Sequence, residues 1–250
     1  MNKIIFSFIT TSMAGFSTLL GIIPCFANSK YKDSIIAFTL SFSSGVMLAI
    51  SLLSLIPEVV LLLNDNFLTI PTLLLCAIFV VIGVLCSFTT SFEVERVVSN
   101  NKLYQLGIIS IIVLILHNIP EGITTFISSS VDTGLGIKLA FAIALHNIPE
   151  GISIAVPIYY ATNNLKKAFS YTFIAGFSEL LGAGIAYLFL AKYVTSFLLA
   201  VILAITAGIM IHISIYELLP TSLQYNKIRG SIFSLILGFT VMIICEVFFH

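Results

Sequence analysis

His117-Asn118-Ile119-Pro120-Glu121-Gly122-Ile123 and His146-Asn147-Ile148-Pro149-Glu150-Gly151-Ile152 are the same seven residues, set twice inside strongly apolar stretches. Each copy puts an imidazole, a carboxamide, a carboxylate and a proline where a membrane span would ordinarily carry aliphatic side chains. Ionisable groups are costly in hydrocarbon, so by default they mark a functional site. Two identical copies make chance a poor explanation.

Outward from these strings the chain is apolar nearly throughout. Of its 250 residues, 59% are hydrophobic and 9% are charged. That composition excludes an ordinary soluble domain and predicts an all-α polytopic membrane protein. Apolar runs bounded by polar clusters predict eight spans, at about 4–27, 35–63, 70–90, 103–129, 134–160, 167–190, 194–219 and 230–249, each long enough to cross a ~30 Å core. The connections are short, Glu93 and Glu95 fall in one of them, and the chain reads as a single transmembrane domain, 1–250. The net charge is zero, which leaves no basic surface for nucleic acid. Cys25, Cys76, Cys86 and Cys245 form no CxxC pair and read as small core residues.

The basic residues orient the spans. With the N-terminus outside, Lys30, Lys32, Arg96, Lys102, Lys166, Lys167, Lys227 and Arg229 fall on the cytoplasmic side. Only Lys3, Lys138 and Lys192 fall outside, so both termini are extracytoplasmic. Met1–Ala27 imitates a secretion signal. A repeat argues against its removal.

Ala14-Gly15-Phe16-Ser17-Thr18-Leu19-Leu20-Gly21 returns as Ala175-Gly176-Phe177-Ser178-Glu179-Leu180-Leu181-Gly182. The stretch from Gly45 to Pro57 is paralleled from Gly208 to Pro220, and the two matches are offset by 161 and 163 residues. Spans 1 and 6, 2 and 7, and 4 and 5 run in opposite directions, so the repeats are inverted. Inverted repeats are a signature of secondary transporters, whose site lies near midplane on interrupted helices. Where the copies differ, the second gains a metal ligand: Thr18 becomes Glu179, Ala49 becomes His212, and Ser54 becomes Glu217.

Helical spacing puts His117 with Glu121, and His146 with Glu150, on one face each. Pro120 and Pro149 lack the N–H that would satisfy the carbonyls of Leu116 and Leu145, which predicts two kinked helices. Facing each other, these helices offer imidazoles, carboxylates and amide oxygens, and Glu179 adds a further carboxylate. Such a donor set suits Zn²⁺, Fe²⁺, Mn²⁺, Co²⁺ or Cd²⁺ without distinguishing them. Clustered carboxylates in a low dielectric need metal ions or protons to neutralise them. Glu58 and Glu217 each stand beside a proline-bounded helix segment, on opposite sides of the membrane. They read either as entrance and exit ligands or as interfacial carboxylates. His212 is balanced between ligand and packing residue, and His250 is terminal.

His-Asn-x-Pro-Glu-Gly in consecutive spans 4 and 5 resembles the ZIP (Zrt/Irt-like) divalent-metal transporters, and the short span 3–4 loop resembles their bacterial ZupT-type branch. The resemblance covers essentially the whole chain. It implies a 3+2+3 architecture in the cell membrane, metal uptake into the cytoplasm, a binuclear site, and an elevator-like movement of spans 1, 4, 5 and 6 against spans 2, 3, 7 and 8. It implies one metal position near His117, Glu121, His146 and Glu150, with Met47 as a weak ligand. A second lies near Asn118, Asn147, Glu121, Glu150 and Glu179. Ser54 and Glu217 match places near the pathway entrance and exit. The chain departs from the family at Tyr216, where some members have histidine, and at Asn147, where some have aspartate. The resemblance calls for no cofactor beyond the transported ion, names the lipid bilayer as surroundings, and makes a homodimer plausible.

Two other readings use the same ligands: a membrane metalloenzyme and a metal-gated sensor. Zinc proteases carry His-Glu-x-x-His, and di-iron bundles carry Glu-x-x-His. Here the order is His-x-x-x-Glu, which fits neither pattern.

Overall fold

A computed structural model describes residues 3–64, 69–98, 101–190, 195–225 and 228–249. Lys192, Lys227 and His250 lie outside the described residues. No strand occurs among the described residues. Eight helices are long and apolar enough to cross a membrane: α1 (Lys3–Phe26), α2 (Lys32–Asn64), α3 (Ile70–Val97), α4 (Lys102–Val131), α5 (Gly136–Thr162), α6 (Leu165–Leu188), α7 (Ser196–Leu223) and α8 (Ile228–Phe248). Their starts follow local chemistry. Asn101 Oδ1 accepts from Tyr104 N at 3.2 Å to cap α4, and Asn164 Oδ1 accepts from Lys167 N at 3.0 Å to cap α6. Asn163, in the left-handed region at φ 50°, turns the chain tightly between α5 and α6.

α3 outruns its apolar stretch. Glu93 and Glu95, expected in a loop, sit in its last turns, where Arg96 Nη1 comes within 4.0 Å of Glu93 Oε1. Glutamate and arginine are good helix formers, and a cation near a helix C-terminus meets a favourable dipole, so the helix continues past the hydrocarbon.

The prolines of the repeated strings do not break their helices. The chain remains α-helical through Pro120 in α4 and through Pro149 and Pro157 in α5, so the expected interruption is absent there. Backbone groups freed by proline inside a membrane can be served by neighbouring polar side chains. Ser43 Oγ of α2 donates to the carbonyl of Pro149 itself at 2.7 Å, one turn beyond the Leu145 carbonyl that the proline frees. The departures from α-helix lie elsewhere. α2 widens into a π-turn over Ile50–Leu55, and α7 does so over Ile213–Leu218, in the register of the sequence repeat. In each, the amide before the proline reaches back five residues: Ile56 N to Ser51 O, and Leu219 N to Ser214 O. Pro57 and Pro220, which follow directly, cannot donate, and the wider turn accommodates that loss. Such turns are frequent at functional sites, and these hold Ser54 and Glu217.

Glycines set the packing. A Cβ on Gly122 of α4 would run into the Glu179 carbonyl of α6, and one on Gly151 of α5 would run into the Thr18 carbonyl of α1. α1 and α6 cross where Gly15 and Gly176 each face the other's carbonyl oxygen. These four helices form one bundle. A second group is built from glycine-paired helices: α2 with α8 at Gly45 and Gly238, and α3 with α7 at Gly83 and Gly208. Small residues at such crossings let backbones approach closely, the usual basis of helix association in lipid. α1–α3 are thus mirrored by α6–α8 around the central pair α4 and α5, giving the 3+2+3 arrangement. The central pair is the most enclosed: 67% of the apolar window of α4 and of α5 is buried, against 22% for α3 and α8. Large aliphatic and aromatic side chains point outward, as lipid contact requires.

Candidate metal centre

His117 and Glu121 are one helical turn apart on α4, and His146 and Glu150 one turn apart on α5. The α4–α5 contact brings both pairs together. His117 Nε2 lies 3.1 Å from Oε1 of Glu121 and 3.1 Å from Oε1 of Glu150. His146 Nε2 is 2.9 Å from the same Glu121 oxygen. Ligand atoms of His117, Glu121 and His146 all lie within 4.8 Å of one another, a spacing that one metal ion can bridge. All four side chains are buried.

The asparagines are held by the repeat. Asn118 Nδ2 donates to Ala175 O of α6 at 2.9 Å, and Asn147 Nδ2 donates to Ala14 O of α1 at 2.9 Å. Ala14 and Ala175 are equivalent positions in the two copies. With each NH₂ tied down, each amide oxygen is the end left for a ligand. Glu179 accepts from Asn147 Nδ2 at 2.8 Å through Oε2. Its counterpart Thr18 bonds only its own helix, to Gly15 O at 2.6 Å. The second copy therefore adds a carboxylate to the cluster where the first has a self-satisfied hydroxyl.

Electron-pair donors accumulate here without hydrogen bonds. His117 Nδ1, Glu150 Oε2, Glu121 Oε2, Glu179 Oε1, and Oδ1 of Asn118 and Asn147 are buried and make none, while His117 Nε2 and Glu150 Oε1 have only each other and Glu121 Oε1 at ion-pair distance. A buried polar atom without a partner costs roughly 1–3 kcal/mol, so folded proteins rarely leave many. Carboxylate and amide oxygens need a donor or a cation. Imidazole and carboxylate together define the class of cation: a divalent transition metal.

A cavity of about 280 Å³ opens onto the cluster. Glu121 and His146 lie at its inner end, and Ser54, Glu58, Thr124 and Glu246 line its walls. All its lining residues fall on the side of the cluster that the basic residues assign to the exterior. Ser54 Oγ is buried there with no hydrogen bond. Met47 of α2 and its repeat equivalent Met210 are fully buried in the main apolar core. His212 lies in the α3–α7 interface. Its Nδ1 is 2.9 Å from Ser87 Oγ, and its ring stacks on Tyr216 at 5.2 Å and meets Phe88 edge-on at 6.1 Å. Glu217 is half-buried, near Ser91 and Glu95 of α3. The structure thus gathers the six ligand-bearing residues of the repeated strings with Glu179, and places His212 and Glu217 on α7 against α3. Sequence reasoning passed over Glu246 and Ser43. A lone carboxylate within the last apolar span was the available signal for Glu246. Ser43 offered none, since serines are common in membrane helices.

An all-helical, multi-pass membrane protein with transition-metal ligands gathered between its two most buried spans is, by class, a membrane protein that handles metal ions. The profile of the ZIP Zinc transporter family matches residues 100–246. The chain is 34% identical to "Zinc transporter ZupT" of Clostridium perfringens, over 100% of this chain and 98% of that protein. It is 34% identical to the protein of the same name from Streptococcus mutans, over 97% of each, and 36% identical to that of Chlorobium luteolum, over 93% of each. The chain belongs to the ZIP zinc transporter family, in its ZupT branch. That family is one of transporters, and the metalloenzyme reading falls away.

Proposed function

We propose that this protein carries divalent transition-metal ions, zinc foremost, from the exterior into the cytoplasm. The observation that carries the proposal is the set of buried donor atoms on α4, α5 and α6 left without hydrogen bonds, at a cluster whose Glu121 and His146 line a cavity on the outer side. The full-length similarity to proteins named zinc transporters supports zinc as cargo. The ion sheds water at Glu121 and His146 and is held by His117, Glu121, His146 and Glu150. A second ion is held by Asn118, Asn147 and Glu179 with the two motif glutamates bridging. Fe²⁺, Mn²⁺, Co²⁺ and Cd²⁺ are accepted by the same donors. The whole chain works as one transporter unit, and a homodimer is its assembly. Influx of Zn²⁺ into proteoliposomes loaded with a metal-sensitive dye tests the proposal. Influx above empty liposomes supports it. Tight metal binding with no influx of any of these ions would overturn it in favour of a sensor.

The two-metal arrangement has its own test. Glu179→Thr restores the side chain of the first repeat copy. Equilibrium titration with Zn²⁺ is expected to fall from two ions per chain to one, with the tighter ion retained. Unchanged stoichiometry would refute the assignment of Glu179.

The movement we propose is a displacement of α1, α4, α5 and α6 against α2, α3, α7 and α8. The packing supports this division, because glycine-mediated backbone contacts lie within the two groups. Ser43 Oγ to Pro149 O crosses between them, next to Glu150, and acts as a latch on the outward-accessible arrangement. A neutral hydrogen bond contributes about 0.5–1.5 kcal/mol. Ser43→Ala therefore shifts the balance between the two arrangements by roughly threefold to tenfold. Labelling of a cysteine placed at Ser128, on the cavity wall, is expected to slow by up to that factor.

A further inference from the structure

The outward face of α6 differs from its repeat counterpart on α1. On α6, Phe169, Phe173 and Phe177 share one helical face and are 47%, 38% and 37% exposed. Their rings stack in sequence, with centroids 6.2 and 5.9 Å apart and interplanar angles of 21° and 14°. Phe16 of α1 stacks on Phe173 at 5.7 Å, which closes the row against the neighbouring helix. Lys166 is exposed on the same face, at the end that the basic residues assign to the cytoplasm. Beside it, Lys167 Nζ is held 4.4 Å from the Tyr104 ring centre and 5.8 Å from that of Tyr171. Among the described residues, neither lysine forms an ion pair with a carboxylate. In the first repeat copy, Lys166, Phe169, Phe173 and Phe177 are replaced by Ile5, Phe8, Ser12 and Phe16. That copy lacks both the cation and the middle ring, and nearby Lys3 donates to Val131 O at 3.2 Å.

We propose that this face of α6 binds one anionic phospholipid of the cytoplasmic leaflet. Lys166 and Lys167 meet its phosphate, and an acyl chain lies along Phe169, Phe173 and Phe177 against Phe16. The dimensions match. Lys166 to Phe177 covers about 16 Å of helix at ~1.5 Å per residue, and one leaflet is about half of a ~30 Å core. The charge matches too, because each lysine near an anionic surface strengthens binding by about fivefold. Only the second repeat copy carries the cation and the full row of rings, so the site is confined to one leaflet although the fold is repeated. The lipid has a structural consequence. Phe16 and Phe173 flank the α1–α6 crossing, where a Cβ on Gly15 would stand 3.0 Å from Glu179 Cβ. A chain laid across both rings holds α1 against the helix that carries Glu179.

The test is lipid retention by the full chain in neutral detergent, read by native mass spectrometry. Phosphatidylglycerol is titrated against phosphatidylcholine with the same acyl chains. Wild type is expected to hold one phosphatidylglycerol per chain, with a preference of about 20-fold over phosphatidylcholine. Lys166→Gln with Lys167→Gln is expected to bring that preference to about twofold or less, and Lys166→Arg with Lys167→Arg to keep it. Phe173→Ser, which installs the residue of the first repeat copy, is expected to weaken both lipids alike, by about threefold or more. Lys30→Gln with Arg229→Gln removes the same charge elsewhere on the cytoplasmic side and is expected to change nothing. Thermal unfolding gives a second reading: phosphatidylglycerol should raise the Tm of wild type and leave that of the Lys166→Gln, Lys167→Gln protein unmoved. Three results would overturn the proposal. Wild type holds both lipids equally, the Lys30→Gln, Arg229→Gln control loses the preference as fully as the double variant, or glycerol phosphate without acyl chains displaces the lipid at equal concentration. The last would leave a site for free phosphate.

Discussion

Glu121→Ala should weaken Zn²⁺ binding by about 10²–10³-fold and abolish uptake at micromolar metal. One Glu121 oxygen lies 3.1 Å from His117 Nε2 and 2.9 Å from His146 Nε2, so this carboxylate joins the two repeated strings. Its other oxygen is buried without a hydrogen bond, and the residue lines the outer cavity. Removing one member of a buried charged set leaves the rest uncompensated, which typically costs about 3–5 kcal/mol. At about 1.4 kcal/mol per decade, the lower part of that span, about 3–4 kcal/mol, gives the stated range. Isothermal titration of purified protein with Zn²⁺ checks the affinity, and dye-loaded proteoliposomes check the uptake. A variant that bound Zn²⁺ within threefold of wild type would remove Glu121 from the ligand set.

The second large effect is structural. Gly122→Leu places a side chain against the Glu179 backbone, where even a Cβ overlaps the carbonyl group. The obstacle is main chain in a helix that itself carries a ligand, so relief requires α4 and α6 to separate. Overpacking of this kind commonly costs 1–3 kcal/mol and sometimes more. With backbone as the obstacle, we expect about 3 kcal/mol or more and loss of the Glu179 contribution to metal binding. Gly184 on α6 supplies the control, because a Cβ there meets nothing within 4 Å. Thermal unfolding in detergent should separate the two: a large fall in Tm for Gly122→Leu, and little change for Gly184→Ala. Equal behaviour would mean that the α4–α6 approach is not what holds the bundle.

Much of this was legible in the chain. Apolar runs give spans because the bilayer fixes their length, and the repeat gives inverted topology because its two copies start on opposite sides. The ligand cluster was legible because His-x-x-x-Glu fixes a helix face and the string occurs twice. What the sequence could not supply depends on which helix stands opposite. His212 sits one repeat offset from Ala49 and looks like an added ligand. It bonds Ser87, because α7 turns that face towards α3. The pairing of α3 with α8 in the repeat rests on Gly83 and Gly238, too little for the eye. The π-turns at Ile50–Leu55 and Ile213–Leu218 were written only in Pro57 and Pro220, and the one at Ala186–Leu190 has no proline at all. The prolines of the repeated strings, which looked like stronger breaks, left α4 and α5 continuous. Where Pro57 and Pro220 stand, the chain shifts to five-residue hydrogen bonds. In α5, Ser43 of α2 donates to the carbonyl of Pro149 itself, a bond that does not replace the one the proline removes.

We propose that metal crosses the membrane through the cluster between α4 and α5. Zn²⁺ influx into dye-loaded proteoliposomes, measured side by side for wild type and Glu150→Ala, tests it most directly. Glu150 is fully buried; its Oε1 lies 3.1 Å from His117 Nε2 and its Oε2 makes no hydrogen bond. Its loss should leave a folded, monodisperse protein with influx indistinguishable from empty liposomes. Wild-type influx through a folded Glu150→Ala protein would contradict the account, since the ion would then be crossing somewhere other than the site the two repeated strings build.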